Sequence, residues 1–222
     1  MKLAFPGINN VFDTEIELVN SIVIENQSLF YYFIEDINAQ INGFEGKAVV
    51  SDDNKILSPN KSTELLTQFI PFEINKKSHL NKIISELEKK AISNEFYAQT
   101  VDLMGRFEKL LTDISFDLSC DLNYTKIDIG ALIKSAGVEI NPDYTCLAEK
   151  IIDYFELVTE FETVKLFVTV NLRSFISDNE ASEFMKTALS HEFNLIMIES
   201  SEHSLLPYEK RYIIDADLCE IE

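Results

Sequence analysis

The 222-residue chain carries 38 Asp and Glu against 19 Lys and Arg, a formal net charge of −19. So acidic a balance repels polyanions on average and excludes nonspecific coating of nucleic acid or docking on anionic lipid, both of which need net positive surface. Yet 46% of the residues are hydrophobic, with 16 Phe and 8 Tyr, which is a core-forming composition and excludes a disordered acidic tail. The length suits one or two domains. No apolar run approaches the ~18 residues of a membrane span, and MKLAFPGINN lacks the long apolar stretch of a signal peptide, so a cytoplasmic protein without membrane contact is expected. Cys120, Cys146 and Cys219 are widely spaced, with no zinc-ligand spacing, and are expected to be buried thiols. His79, His191 and His203 are equally scattered, and none stands near a nucleophile motif.

In chain order, SIVI (21–24) reads as a buried strand, an apolar-periodic segment from Leu29 to Ile41 as a helix, and KAVV (47–50) as a further strand. The turn after SIVI reads ENQSLF. It has no glycine to bring backbone amides onto a phosphate and no Lys-Ser/Thr pair, and Glu25 would repel a triphosphate, so no nucleotide is expected there. Residues 62–161 read as helical almost throughout. Leu80, Ile83, Ile84, Leu87 and Ala91 make one apolar stripe, and Leu103, Phe107, Leu110, Leu111, Ile114 and Leu118 a second. A shorter helix starts at Asp128 as N-cap and stops at Gly137, and Leu147, Ile151, Tyr154, Phe155 and Val158 mark a fourth. Then VKLFVTV (164–170), a capping box at Ser177 and Glu180 opening a helix, and LIMI (195–198) spell a β-α-β unit with parallel strands and a right-handed crossover. YIID (212–215) adds a strand, and the first strand of the β-α-β unit, VKLFVTV, ends in Asn171, where a P-loop enzyme would place a metal-binding Asp. The expected architecture is an α/β head of residues 1–61 and 162–222, with a helical insertion of residues 62–161.

Charge is unevenly spread. Residues 76–90 hold Lys76, Lys77, Lys82, Lys89 and Lys90 against Glu86 and Glu88, a local +3, which leaves 14 − 36 = −22 on the rest. Such a stripe suits phosphate contact; the alternative is a solvated helix face in which Lys82 pairs with Glu86. The segment FDLSCDLNYTKID (116–128) sets Asp121, Asn123 and Thr125 at i, i+2 and i+4, with Asp117 and Asp128 nearby. This resembles the first half of an EF-hand loop, but Lys126 at position six and Leu132 at position twelve exclude one. Asp128 as a helix cap and Asp121 as an Asx-turn residue are the competing readings.

CDLNYTKIDIGALIKSAGVEI (120–140), LFVTVNLRSFISDNEA (166–181), NLIMIES (194–200) and RYIIDADL (211–218), with IVIENQSLF (22–30), are similar in order and spacing to the Csn-type adaptation protein of type II-A CRISPR systems. The resemblance implies a head derived from P-loop nucleotidases that lacks the phosphate loop, with an inserted helical leg. It implies a ring-shaped homotetramer of an antiviral defence system, without nuclease activity. The ring threads double-stranded DNA from its ends through a lysine-lined hole, with calcium ions fixing the leg. Members act in spacer acquisition beside the spacer integrase and the effector nuclease. For DNA the resemblance matches only the lysine-rich character of the leg, and the candidate contacts are the lysines at 76, 77, 82, 89 and 90, with Lys126 and Lys134. For calcium they are Asp117 and Asp121, with Asn123 and Asp128 completing the candidate oxygen donors. Asn123, Thr125 and Lys126 stand where the family is usually acidic, and Lys126 can supply a positive charge of its own. The other classes to test are a metal-dependent phosphohydrolase built on Asp117, Asp121 and Asp128, and an acidic protein-binding module of the adaptation complex.

Overall fold

The computed structural model describes residues 1–15, 17–53, 55–120, 122–124, 127–141 and 143–221. In chain order the elements are β1 (Lys2–Ala4), β2 (Phe12–Asp13), β3 (Val19–Ile24), α1 (Gln27–Ile41), β4 (Val49–Asp52), β5 (Lys55–Leu57), α2 (Pro59–Ser62) and β6 (Thr63–Leu66). There follow α3 (Lys77–Ala91), α4 (Tyr97–Ile114), α5 (Ile129–Ser135), α6 (Leu147–Phe161), β7 (Leu166–Val170), a 3-10 turn (Leu172–Ser174), α7 (Asp178–Ser190), β8 (Asn194–Glu199), β9 (Glu209–Ile214) and β10 (Glu220–Ile221). The chain forms two compact units. Unit 1 is Met1–Phe72 with Asp143–Glu222, and unit 2 is Glu73–Pro142.

Unit 1 is mixed α/β. Its six-stranded sheet runs β10-β9-β3-β8-β7-β6, parallel except for β10, and its four-stranded antiparallel sheet runs β2-β1-β4-β5. Strand β3 is buried along its whole length, as a strand covered on both faces must be. Alternate residues separate the faces. Ile22, Ile24, Leu166, Val168, Ile196, Ile198 and Ile214 share a core with Phe33 and Ile37 of α1 and with Leu3, Phe12 and Val50 of the smaller sheet. On the other face Phe167 stacks on Phe155 of α6 at 3.9 Å, and Phe155 also meets Phe184 of α7. The expected capping box is present: Ser177 accepts from the Glu180 amide and Glu180 accepts from the Ser177 amide.

Three parts of the expected architecture differ. The KAVV segment enters the smaller sheet as β4, antiparallel to β1, so the next strand of the six-stranded sheet after β3 along the chain is β6, at the edge beside β7. Strand β6 lies inside the stretch read as helical. It pairs Thr63 with Leu166 through Leu66 with Thr169, and its polar Glu64 is taken up by the Tyr154 hydroxyl. Helix α6 belongs to unit 1, where Ile151, Tyr154, Phe155 and Val158 are buried; the insertion is residues 73–142 instead of 62–161. The cysteines differ as well. Cys120 and Cys219 are exposed and Cys146 is half-buried, because they lie in connecting segments outside the apolar faces.

Unit 2 holds α3, α4 and α5. Asn75 and Ile140, near its two ends, are joined by two hydrogen bonds, Asn75 Nδ2 to the Ile140 carbonyl (3.1 Å) and the Ile140 amide to Asn75 Oδ1 (2.8 Å). Helices α3 and α5 meet where Gly130 is buried; a Cβ there would lie 2.6 Å from Glu88 Oε1, so the missing side chain makes room for that carboxylate. Gly137, with φ +67°, ends the α5 region as read from sequence.

Candidate nucleic-acid interface

The register of α3 sorts the lysines. Lys76 is its N-cap and Lys77 its first helical residue; both are exposed, and the first turn holds no acidic residue. Positive charge at a helix N-terminus opposes the macrodipole by roughly 0.3–1 kcal/mol per residue, and helix formation gives no reason for it. Lys89 and Lys90 occupy the last turn, where cations are favoured, and Lys89 bonds Glu86. Glu86 thus takes Lys89 at i,i+3, which fits the alternative of a helix face with Lys-Glu pairs. Lys134 pairs with Glu88 at 3.0 Å. Among the described residues Lys77 and Lys90 take part in no ion pair. Lys126 lies outside the described residues.

The segment 116–128 is only partly described: Asp121 and Thr125 also lie outside. Asp128 Oδ1 accepts from the Gly130 amide at 3.0 Å, so the N-cap reading of this residue holds. Asp117 and Asn123 are exposed. Among the described residues the one group of three acidic, His or Cys ligand atoms within 4.8 Å of one another is Glu15, Asp52 and Asp53, far along the chain from this segment. Even there Asp52 pairs with Lys165 at 2.7 Å and Glu15 with the N-terminal ammonium at 3.2 Å. Among the described residues Asp117 and Asp128 belong to no such group, and Asp121, the other acidic residue of the candidate calcium site, lies outside them.

In unit 1 the carboxyl ends of the parallel strands are where such sheets bind ligands. Only Glu25 and Asn26 stand between β3 and α1, and Asn26 caps α1 by accepting from the Leu29 amide (3.0 Å) while donating to the Ala216 carbonyl (2.9 Å). Asn171, left-handed at φ 56°, takes the Ser200 amide on its side-chain oxygen at 2.7 Å. Beside it lies a charged cluster that sequence reasoning missed. The Arg173 guanidinium is 1% exposed and donates to Asp178 (2.6 Å) and the Ser204 carbonyl (3.1 Å), with Glu209 at 3.5 Å. Its amide donates to Glu199, which is also buried. Burial pushes the Glu199 carboxyl up to about 7, against the downward pull of the Arg173 amide and charge. Burial likewise lowers the pKa of His203, whose Nε2 lies 3.7 Å from Glu199.

A family profile described as "CRISPR-associated protein (Cas_Csn2)" matches residues 40–218. The CRISPR-associated protein Csn2 of Streptococcus agalactiae is 23% identical over 227 residues, covering 98% of this chain and 96% of that protein. These matches place the molecule, by class, among the CRISPR-associated proteins. Within that class the chain belongs to the Csn2 family. Among the described residues no helix is long and apolar enough to cross a membrane.

Proposed function

We propose that the protein is a non-catalytic binder of double-stranded DNA ends that acts in spacer acquisition, as a homotetrameric ring threading linear DNA, beside the spacer integrase and effector nuclease. The observation that carries this reading is the pair Lys76 and Lys77 at the N-terminus of α3, where helix energetics oppose them and a phosphate would favour them. The net charge of −19 does not forbid it, since exposed charges more than about 8–10 Å apart are largely screened at physiological salt. The head reading, a nucleotidase-like sheet without a phosphate loop and with a helical leg inserted, draws support from the parallel order β9-β3-β8-β7-β6 and from the two-residue β3–α1 turn. A phosphohydrolase built on Asp117, Asp121 and Asp128 draws none from Asp128, which is committed as a cap.

A gel-shift comparison of one DNA sequence as a linear duplex and as a covalently closed circle tests the reading. Binding of the linear form only supports threading. Equal binding of the circle overturns it. Parallel lanes with calcium and with chelator decide whether a cation belongs to the mechanism.

Assembly draws support from α4. This helix has no buried residue, and Leu103, Phe107, Leu110 and Ile114 follow one another at spacings of four, three and four, the period of a coiled-coil seam. Leu103 is 51% exposed, Leu110 52% and Ile114 67%. Light scattering is expected to give about four times the 25.4 kDa chain mass for the wild type, and a smaller particle for L110D/I114D. An unchanged mass in that variant would remove α4 from the assembly.

A further inference from the structure

Between α6 and α7 of unit 1 lies a groove of about 310 Å³ whose floor is formed by Ala148, Ile152 and Phe184. Its lining includes four carboxylates, Glu149 and Asp153 from α6 and Glu180 and Glu183 from α7, and no Lys, Arg or His. Three of them are held in place by neutral donors. Glu149 accepts from the Thr145 amide (3.1 Å) and hydroxyl (2.6 Å), and Glu180 from the Ser177 amide (2.8 Å) and hydroxyl (2.7 Å). Asp153 holds the Tyr144 hydroxyl, whose pKa burial and that carboxylate push up to about 12. These bonds fix position without cancelling charge. They also keep Glu149 and Glu180 ionised, since both carboxyls are held below their ordinary range by the same donors. Among the described residues Glu183 is the one of the four in an ion pair, with Lys186 at 3.5 Å, and both are exposed. The N-termini of α6 and α7 together offset about one unit of negative charge, which leaves the groove strongly anionic.

We infer that this groove is a docking site for an arginine side chain carried on an extended segment of a partner protein. The volume is at the small end of ligand cavities, too small for a helix or an aromatic ligand with substituents, and it fits one long side chain. An apolar floor under an anionic rim matches a methylene stem ending in a cation. Guanidinium suits this rim better than ammonium, because carboxylates from two helices approach its planar fork from both sides. The site is separate from the lysines of unit 2 and acts whether or not those bind DNA.

The test titrates the full-length protein with the peptide N-acetyl-Leu-Arg-Leu-amide and with its citrulline counterpart, which keeps the shape and removes the charge. Two readouts are followed: calorimetric affinity, and the alkylation rate of Cys146, which lines the groove, against exposed Cys120 and Cys219 as internal controls. Saturable binding of the arginine peptide, at least tenfold weaker binding of the citrulline peptide, selective protection of Cys146, and about tenfold loss in D153N/E183Q are expected. Asp153 and Glu183 are exposed and cap no helix, so the double variant folds normally, which its unfolding midpoint checks. Equal binding of both peptides, equal binding to the double variant, or no protection of Cys146 overturns the inference. Spermidine that protects Cys146 where the arginine peptide does not would also overturn it, in favour of a small polycation.

Discussion

Replacing Lys76 and Lys77 together by alanine is expected to lower the affinity for a linear duplex by one to two orders of magnitude at 0.1 M salt. Each phosphate neutralised contributes about 0.9 to the slope of log affinity against log salt, so two lost contacts reduce that slope by close to two and weaken binding roughly eightfold apiece at this salt concentration. The variant loses no macrodipole stabilisation of α3, because both lysines sit where the dipole disfavours them, and its unfolding midpoint is measured alongside. K89A/K90A is the informative contrast. These lysines satisfy the last turn of α3, and Lys89 bonds Glu86, so their loss should cost some helix stability and little DNA affinity. Equal losses in the two pairs, or an unchanged salt slope for K76A/K77A, would remove the N-terminus of α3 from the interface.

That contrast rests on an α3 start fixed by the structure. A count of lysines found the stripe, since five of them in residues 76–90 against two glutamates is visible in any charge profile. Which lysines the helix itself uses depends on where it starts and stops, and a polar run such as INKKSHL carries no Ser, Thr, Asp or Asn in the N-cap position to announce it. The carboxylates of 116–128 show the opposite case. Spacing alone suggested oxygen ligands there, and of the two readings of Asp128 the cap, legible in its place immediately before IGALI, is the one in which an oxygen is seen at work, on the Gly130 amide.

The layers were less legible than the elements. Apolar periodicity placed α1, α3, α4, α6 and α7 and the strands β3, β7, β8 and β9, because burial on one or both faces writes itself into the pattern. It does not say what covers a stripe. α4 and α6 are both amphipathic, yet α6 buries Ile151, Tyr154, Phe155 and Val158 in unit 1, whereas among the described residues the best covered of α4, such as Phe107 and Leu111, are only half-buried. Strand β6 escaped because Thr-Glu-Leu-Leu is short and carries a charged residue, whose partner, Tyr154, lies ninety positions away. Arg173 escaped because, apart from Asp178, its partners are distant in sequence: Glu199 is brought to it by the β7–β8 pairing, and Ser204 and Glu209 by the crossover from β8 to β9.

That crossover sets the second large effect. Parallel strands of one sheet usually need a helix to connect them, but residues 200–208 pass from the end of β8 to the start of β9, the two strands that flank β3, without one, tied down by Arg173 through the Ser204 carbonyl and Glu209. R173M keeps most of the volume and removes the charge. Glu209 retains Arg211 at 3.0 Å, whereas Glu199 loses the cation that stabilised its ionised form, and Asp178 and Ser204 lose their donor. Breaking a buried pair on one side costs about 3–5 kcal/mol, a large share of the roughly 5–15 kcal/mol that holds a domain together. The cost depends on pH. Glu199 titrates near 7 when folded and near 4.5 when unfolded, so the folded state binds the extra proton between those values and wild-type stability falls as pH rises through the window. Without Arg173 the folded carboxyl moves higher still, so the deficit of R173M in urea denaturation should be larger at pH 8 than at pH 5.5. Adding E199Q, which fixes the neutral form, should restore part of the loss at pH 8 and little at pH 5.5. A deficit below about 1 kcal/mol at both pH values, or a rescue independent of pH, would show that the Arg173 cluster does not hold the crossover through its charges.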